Sequence, residues 1–408
     1  MSLISIRNMG LKRELPLELL YNVVDICAQS GSFNDLKALS LVSRALNRQA
    51  RKHIWAFVKL PMEKAVGLDK EGKDFLYLVD ALSTLPDITS YTKSLHIASY
   101  PPEVLIPFLD NLEFRALRGL SITGYNPRAH YAPSSTSLVE LMNTNRNIHT
   151  LKLRNFRMNP IAFFDLLSQA ELHNLRHCTL DIINTTIDDG WDDYLTHPSP
   201  DVVEGFLNKR RTSETSNVAR PSLKSLSLTR ITNLPNPAFC NALFRDTHSL
   251  FDLSSLQRLT ITISSYPPVP LQFYEEVIEL CCLSVTSLII HNWQDVTRSE
   301  SVLVTKFINV KDVIINVYDW VCLGTSVELA LQQLSALKSL KKVKFTLESY
   351  GSRLEFLPKI KRALVQFCRE VTITEEIVLI FKTLSAESSN NENVLIWDKE
   401  KCMLSPRS

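Results

Sequence analysis

A six-residue template, h-x-x-h-x-h with h apolar, recurs along most of this 408-residue chain. Clear copies lie at Leu117–Ile122 (LRGLSI), Ile148–Leu153 (IHTLKL), Leu175–Leu180 (LRHCTL), Leu223–Leu228 (LKSLSL), Leu256–Ile261 (LQRLTI), Val285–Ile290 (VTSLII), Val310–Ile315 (VKDVII) and Leu340–Phe345 (LKKVKF). Weaker copies start at Thr92 (TKSLHI) and Cys368 (CREVTI), and Asn393–Trp397 reads as a last strand. Successive starts lie 25, 31, 27, 48, 33, 29, 25, 30 and 28 residues apart. The alternation within each copy predicts a short strand that buries every second side chain. One such unit cannot cover its own apolar edge, so the copies must stack on one another.

Between the strands the apolar spacing changes to three and four residues. This predicts helices over Pro102–Ala116, Ile161–Leu172, Pro270–Leu283, Val327–Leu337 and Leu354–Phe367. The 61 Leu supply the inward seam. Only 10 Gly are present, too few for many phosphate-cradling loops or tight βα turns. Gly67–Asp74 (GLDKEGKD) nearly matches a phosphate-binding loop, but Asp74 stands where a neutral hydroxyl should ligate Mg²⁺. Asp69 and Glu71 add repulsion there, so nucleotide binding is not expected and no cofactor is assigned. His177, Cys178 and His291 fall on predicted strands without metal-ligand spacing, so no metal is expected either. No catalytic residue is nominated. No run of about 18 apolar residues marks a membrane span. Met1–Glu14 lacks the apolar stretch of a secretory leader. The eight Cys show no C-x-x-C spacing and read as reduced thiols of a cytoplasmic or nuclear protein.

Helix and strand alternating at this period resemble an irregular leucine-rich-repeat solenoid of the α/β class. The resemblance covers residues 92–400. It departs from the regular form in that the Asn which often closes the strand segment is mostly absent. The longest interval holds a polar, charge-segregated insertion at 184–222, read as a surface loop or a partner-binding segment. Residues 59–91, with Phe75, Leu76, Leu78, Val79 and Leu82, read as a linker and capping helix.

The head of the chain, residues 12–58, has a different rhythm. Leu19, Leu20, Val23, Val24 and Cys27 form one broad helical face after Pro16. Ser30-Gly31-Ser32 breaks it. A second helix is expected from an N-cap at Asn34 through Leu36, Leu39 and Ser43, and a third over Leu46–Phe57 with Ala50, Ile54 and Trp55 inward. Three short helices bury little by themselves, so a partner is expected to complete them. Leu15-Pro16-Leu17-Glu18-Leu19-Leu20, then Leu39-Ser40-Leu41-Val42-Ser43-Arg44, then Ile54-Trp55, resemble the F-box motif. Leu46 departs from it, standing where an aromatic is usual. The resemblance implies a substrate receptor: the F-box binds the adaptor subunit of a cullin-RING ubiquitin ligase of the SCF type, and the solenoid binds a client protein. It assigns the adaptor contact to Leu15, Pro16, Leu19, Leu20, Val23, Val42 and Leu46. A leucine-rich-repeat scaffold without a ubiquitylation role is the alternative, and an enzyme with its site in the insertion is a further one.

The x positions of the template, and the residue after it, should line the concave face of the solenoid. They supply Lys93, Arg118, Lys152, Arg154, Arg176, Lys224, Arg258, Lys311, Lys341, Lys342, Lys344 and Arg369, against Asp181, Asp312 and Glu370. The whole chain carries 45 basic and 43 acidic residues, so its near-neutrality conceals a segregated charge. All of these cations but Lys93 and Arg369 are taken as the candidate client site, selecting an acidic or phosphorylated segment. Aromatics do not interleave with them, which counts against nucleic acid. Replacing Lys341, Lys342 and Lys344 with Glu should abolish client capture and leave adaptor binding intact. Unchanged capture would contradict the assignment.

Overall fold

The computed structural model describes residues 16–61, 81–82, 84–98, 112–123, 134–157, 160–183, 205, 220–229, 240–245, 249–262, 271–291, 304–318, 323–350, 357–370, 376–384, 391–398 and 403–406. The expectations for Leu15, for Gly67–Asp74, for Phe75–Val79, for 102–111 and for nearly all of the 184–222 insertion fall outside these residues.

Three helices open the chain: α1 (Leu17–Gln29), α2 (Phe33–Ser40) and α3 (Arg44–Ile54). Pro16 precedes α1, where its missing N–H leaves no helical bond unmade. The turn after α1 needs a positive φ, and Gly31 supplies it at 74°. Two boundaries differ from those expected. The N-cap of α2 is Ser32 rather than Asn34, with the Ser32 hydroxyl donating to the Asp35 carboxylate. Ser43 does not end α2; it caps α3, its Oγ accepting the Leu46 N–H at 3.2 Å. Val24, Leu36, Leu46 and Ala50 form a small core of their own, edged by Leu20, Cys27, Leu39 and Ile54. Asp25 ties α1 to α3: Gln49 Nε2 donates to its Oδ1 at 2.8 Å, and His53 Nε2 lies 2.7 Å away. These bonds hold the Asp25 carboxyl below the usual carboxylate range.

The strands follow as β1 (Phe57–Pro61), β2 (Ser94–Ala98), β3 (Gly119–Thr123), β4 (Thr150–Arg157), β5 (His177–Ile183), β6 (Ser225–Thr229), β7 (Arg258–Thr262), β8 (Ser287–His291), β9 (Asp312–Tyr318), β10 (Lys342–Tyr350), β11 (Glu376–Leu384), β12 (Asn391–Asp398) and β13 (Met403–Pro406). Interspersed are α4 (Pro86–Tyr91), α5 (Ser134–Thr144), α6 (Pro160–Gln169), α7 (Leu271–Cys281), α8 (Leu323–Leu334) and α9 (Leu357–Glu370), with a π-helical turn at Asn241–Arg245. All described strands join one sheet in chain order. β1 to β11 run parallel, and β12 and β13 return antiparallel. This is a leucine-rich-repeat-like α/β solenoid behind a helical head. Its first strand starts at Phe57, across the expected boundary between head and linker.

The template governs the register. Its third positions align from Ser94 through Gly119, Thr150, His177, Ser225, Arg258, Ser287 and Asp312 to Lys342. Its first, fourth and sixth positions are buried in every clear copy, as with Leu223, Leu226 and Leu228 at 0% exposure. The copy at Cys368 is the exception. Ile360, Leu364 and Phe367 are buried at helical spacing, so α9 continues through Cys368, Arg369 and Glu370. The strand comes at Glu376 instead, and Arg369 and Glu370 leave the candidate face. The helix expected over Pro102–Ala116 is absent from its described part, 112–116. There the Phe114 N–H donates instead to Asn145 Oδ1 at 2.7 Å.

The residue just before the template is Asn or Ser in most copies, and it stitches neighbours together. Asn174 donates to the Arg146 carbonyl at 3.1 Å, Asn309 to that of Leu283 at 2.6 Å and Ser339 to that of Ile308 at 2.9 Å. A side-chain ladder is thus built just before the template. Leu226→Ala, which opens a cavity in the shared core, should cost about 2–5 kcal/mol. Asn309→Ala, which removes one stitch, should cost about 1 kcal/mol. Urea unfolding of both variants checks this; equal costs would contradict the division of labour.

Candidate interaction surfaces

Two surfaces stand out among the described residues. The first lies on the helical head. α1 carries two adjacent stripes at helical spacing. Leu20, Val24 and Cys27 face the small core. Leu19, Val23 and Ile26 face solvent, at 50%, 47% and 63% exposure. Leu17, Phe33 and Val42 are exposed as well, and Leu41 reaches 86%. Such a concentration of open aliphatic surface within 26 residues is a cost that a water-facing module carries only for a purpose.

Of the residues assigned to adaptor contact, Pro16, Leu19, Val23 and Val42 are exposed and Leu20 is half-buried. Leu46 is not on this surface: at 5% exposure it belongs to the head's own core and supports the stripe from beneath. Leu17, Ile26, Phe33 and Leu41 were missed. Sequence spacing gave α1 one broad apolar face; only packing separates its buried half from its open half.

The second surface is the sheet face opposite the core. Burial alternates residue by residue along β3, β6 and β8, so this face is open to solvent there. The second template positions are joined directly by backbone bonds. Arg118 N donates to Lys93 O at 2.8 Å, His149 N to Arg118 O at 2.7 Å, Arg176 N to His149 O at 2.9 Å and Lys224 N to Arg176 O at 2.7 Å. The row runs on through Gln257 and Thr286 to Lys311, and Lys341 N donates to Lys311 O at 2.8 Å. Neighbours along it stand about 4.8 Å apart, the spacing of paired strands. Lys152, Arg154, Arg258, Lys342 and Lys344 project from the strands themselves. All ten proposed client-site cations are therefore exposed or half-exposed on one face. Of the acids expected among them, Asp181 is buried, whereas Asp312 is half-exposed on this face, in register between Ser287 and Lys342.

The histidines report the sign of this face. The His177 imidazole is pushed below its ordinary range by burial first, then by Arg176, Arg258, His149 and Lys152. His96, with Nδ1 3.0 Å from Ser121 Oγ, is lowered by burial and then by Lys59, Arg154 and Lys152. His291 is lowered by burial alone, and the Asn316 amide donates to its Nδ1 at 2.7 Å. No group of His, Cys, Asp or Glu among the described residues could hold a metal ion. Burial pushes the Cys178 thiol up to about 12, which makes it a core residue rather than a nucleophile. No helix among the described residues is long and apolar enough to cross a membrane.

No protein-family model matches the chain, and no curated protein matches it. A structure of a Bacteroides fragilis protein aligns with a TM-score of 0.36 and 11% identity over 75% of this chain and 71% of its own. The crystal structure of the Rad7 and Elc1 complex in yeast aligns with a TM-score of 0.35 and 11% identity over 81% of this chain and 84% of its own. Likeness at this level carries no argument about function, so the surfaces themselves carry the functional reading.

The histidine shifts fix a pH dependence. The folded chain resists protonation at His96, His177 and His291, so just below pH ~6.5 the unfolded chain binds more protons. Stability is full above that range and falls as the pH drops through it. Thermal unfolding at pH 7.5 and 5.5 should give a lower midpoint at 5.5. Arg258→Ala should raise the His177 pKa as read by NMR titration; an unmoved His177 would contradict the positive face.

Proposed function

We propose that the chain is a receptor subunit of a cullin-RING ubiquitin ligase. The helical head docks on the ligase adaptor, and the sheet face holds a client protein. The observation that carries this reading is the open stripe of Leu19, Val23 and Ile26 beside Leu41 and Val42 on a head with its own small core. The F-box resemblance places adaptor contact on part of that surface. Full burial of an aliphatic side chain is worth about 1.5–3 kcal/mol, so three or four of them can anchor a stable complex.

The mechanism asks for no bond chemistry from this chain. Holding the client near the ubiquitin-charged enzyme raises the effective concentration of its lysines at the thioester. The basic face gives charge complementarity to an anionic client and speeds encounter with it.

Leu19→Asp with Val23→Asp places charges on the open stripe without touching the core. The pair should weaken binding to purified adaptor by at least about 30-fold (~2 kcal/mol) and leave the unfolding midpoint unchanged. Calorimetric titration reads the first and circular dichroism the second. Equal affinity of both proteins for the adaptor would overturn the reading. Client half-life separates a receptor from a scaffold: loss of adaptor binding should lengthen it in the first case and leave it unaltered in the second.

A further inference from the structure

The open sheet face is not uniform along the array. On β4 to β7 the second, third and fifth template positions make a patch of twelve, set side by side by the strand register and the backbone row. Four are the cations Lys152, Arg176, Lys224 and Arg258, and two are His149 and His177. The other six are Ser, Thr or Gln. No carboxylate and no aliphatic side chain stands among the twelve, and each can donate a hydrogen bond. The His177 imidazole, lowered first by burial, is lowered further by Arg176, Arg258, His149 and Lys152, all of them members of the patch.

On β8 and β9 the fifth position changes character. It is Ile289 and then Ile314, paired in register and each half-buried on the same open face. The donor patch thus gives way within one strand to an aliphatic step.

We infer that this face takes an extended polypeptide segment carrying a phosphorylated residue and, four or five residues away, an aliphatic side chain. The phosphate sits over β5 and β6, and the aliphatic side chain rests on Ile289 and Ile314. A dianionic group with three acceptor oxygens matches, better than one carboxylate does, a patch in which four side chains are cations and every other one can donate. The centres of patch and step are three strands apart, about 14 Å, which an extended chain spans in four or five residues at about 3.3 Å each. The patch holds no Phe, Tyr or Trp on which successive bases could stack. The inference deepens the receptor reading and rests on it for the client role. Its test addresses the sheet face alone, so its failure leaves adaptor docking standing.

The test is an oriented peptide library with one fixed phosphoserine and randomised flanks, passed over the immobilised full-length protein. Retention should depend on the phosphate, with Leu, Ile, Val or Met enriched four or five residues to one side. Arg176→Glu with Arg258→Glu should lower retention at least tenfold. Ile289→Thr with Ile314→Thr, which keeps β-branched side chains in the strands, should flatten the enrichment while retention persists. Leu19→Asp should change neither. Equal retention of the unphosphorylated library, or a flat profile with the unaltered protein, would overturn the inference. Tighter, Arg176-dependent retention of a ten-nucleotide oligouridine would overturn it in favour of nucleic acid.

Discussion

Burial of three apolar side chains per repeat is the constraint on which the rest of this molecule depends. Leu223, Leu226 and Leu228 show the arrangement: one before the strand and two within it, all removed from water. Because strand side chains alternate, a slip of one residue would turn the whole seam outward. Register is therefore fixed by hydrophobic burial, and everything on the opposite face inherits that register. The basic row is a row only because the leucines beneath it are in line.

Much of this was legible in the sequence because the template repeats. A single LKSLSL predicts little; eight clear copies predict a stack. Legibility failed where two periods overlap. Cys368 begins a passable strand template, but Ile360, Leu364 and Phe367 continue the helical period through it, and the helix wins by burying them. The stitching by Asn174, Asn309 and Ser339 was also missed. Its signal, an Asn or Ser just before most copies, lies outside the six-residue template.

The candidate surfaces divide in the same way. The sheet-face cations on the strands themselves are legible as exposed, since alternation assigns the third and fifth positions a side; those at the second position, just before each strand, are aligned by the backbone bonds between neighbours. The helical head was harder. Its apolar residues exceed what three short helices can enclose, and sequence spacing cannot say which remain outside. Packing puts Leu46 inside with Val24 and Ala50, and leaves Leu19, Val23, Ile26 and Leu41 in water. The two surfaces also differ physically. The head offers aliphatic area, which suits a stable subunit contact, whereas the sheet offers charge and hydroxyls, which suit selection among clients.

Hydrogen–deuterium exchange of the full chain, alone and with purified adaptor subunit, tests the central claim most directly. Docking through the open stripe predicts slowed exchange confined to peptides from α1, α2 and the start of α3, with the strand peptides of β4 to β9 unchanged. Unchanged exchange in the head, or protection on the sheet face instead, would contradict it.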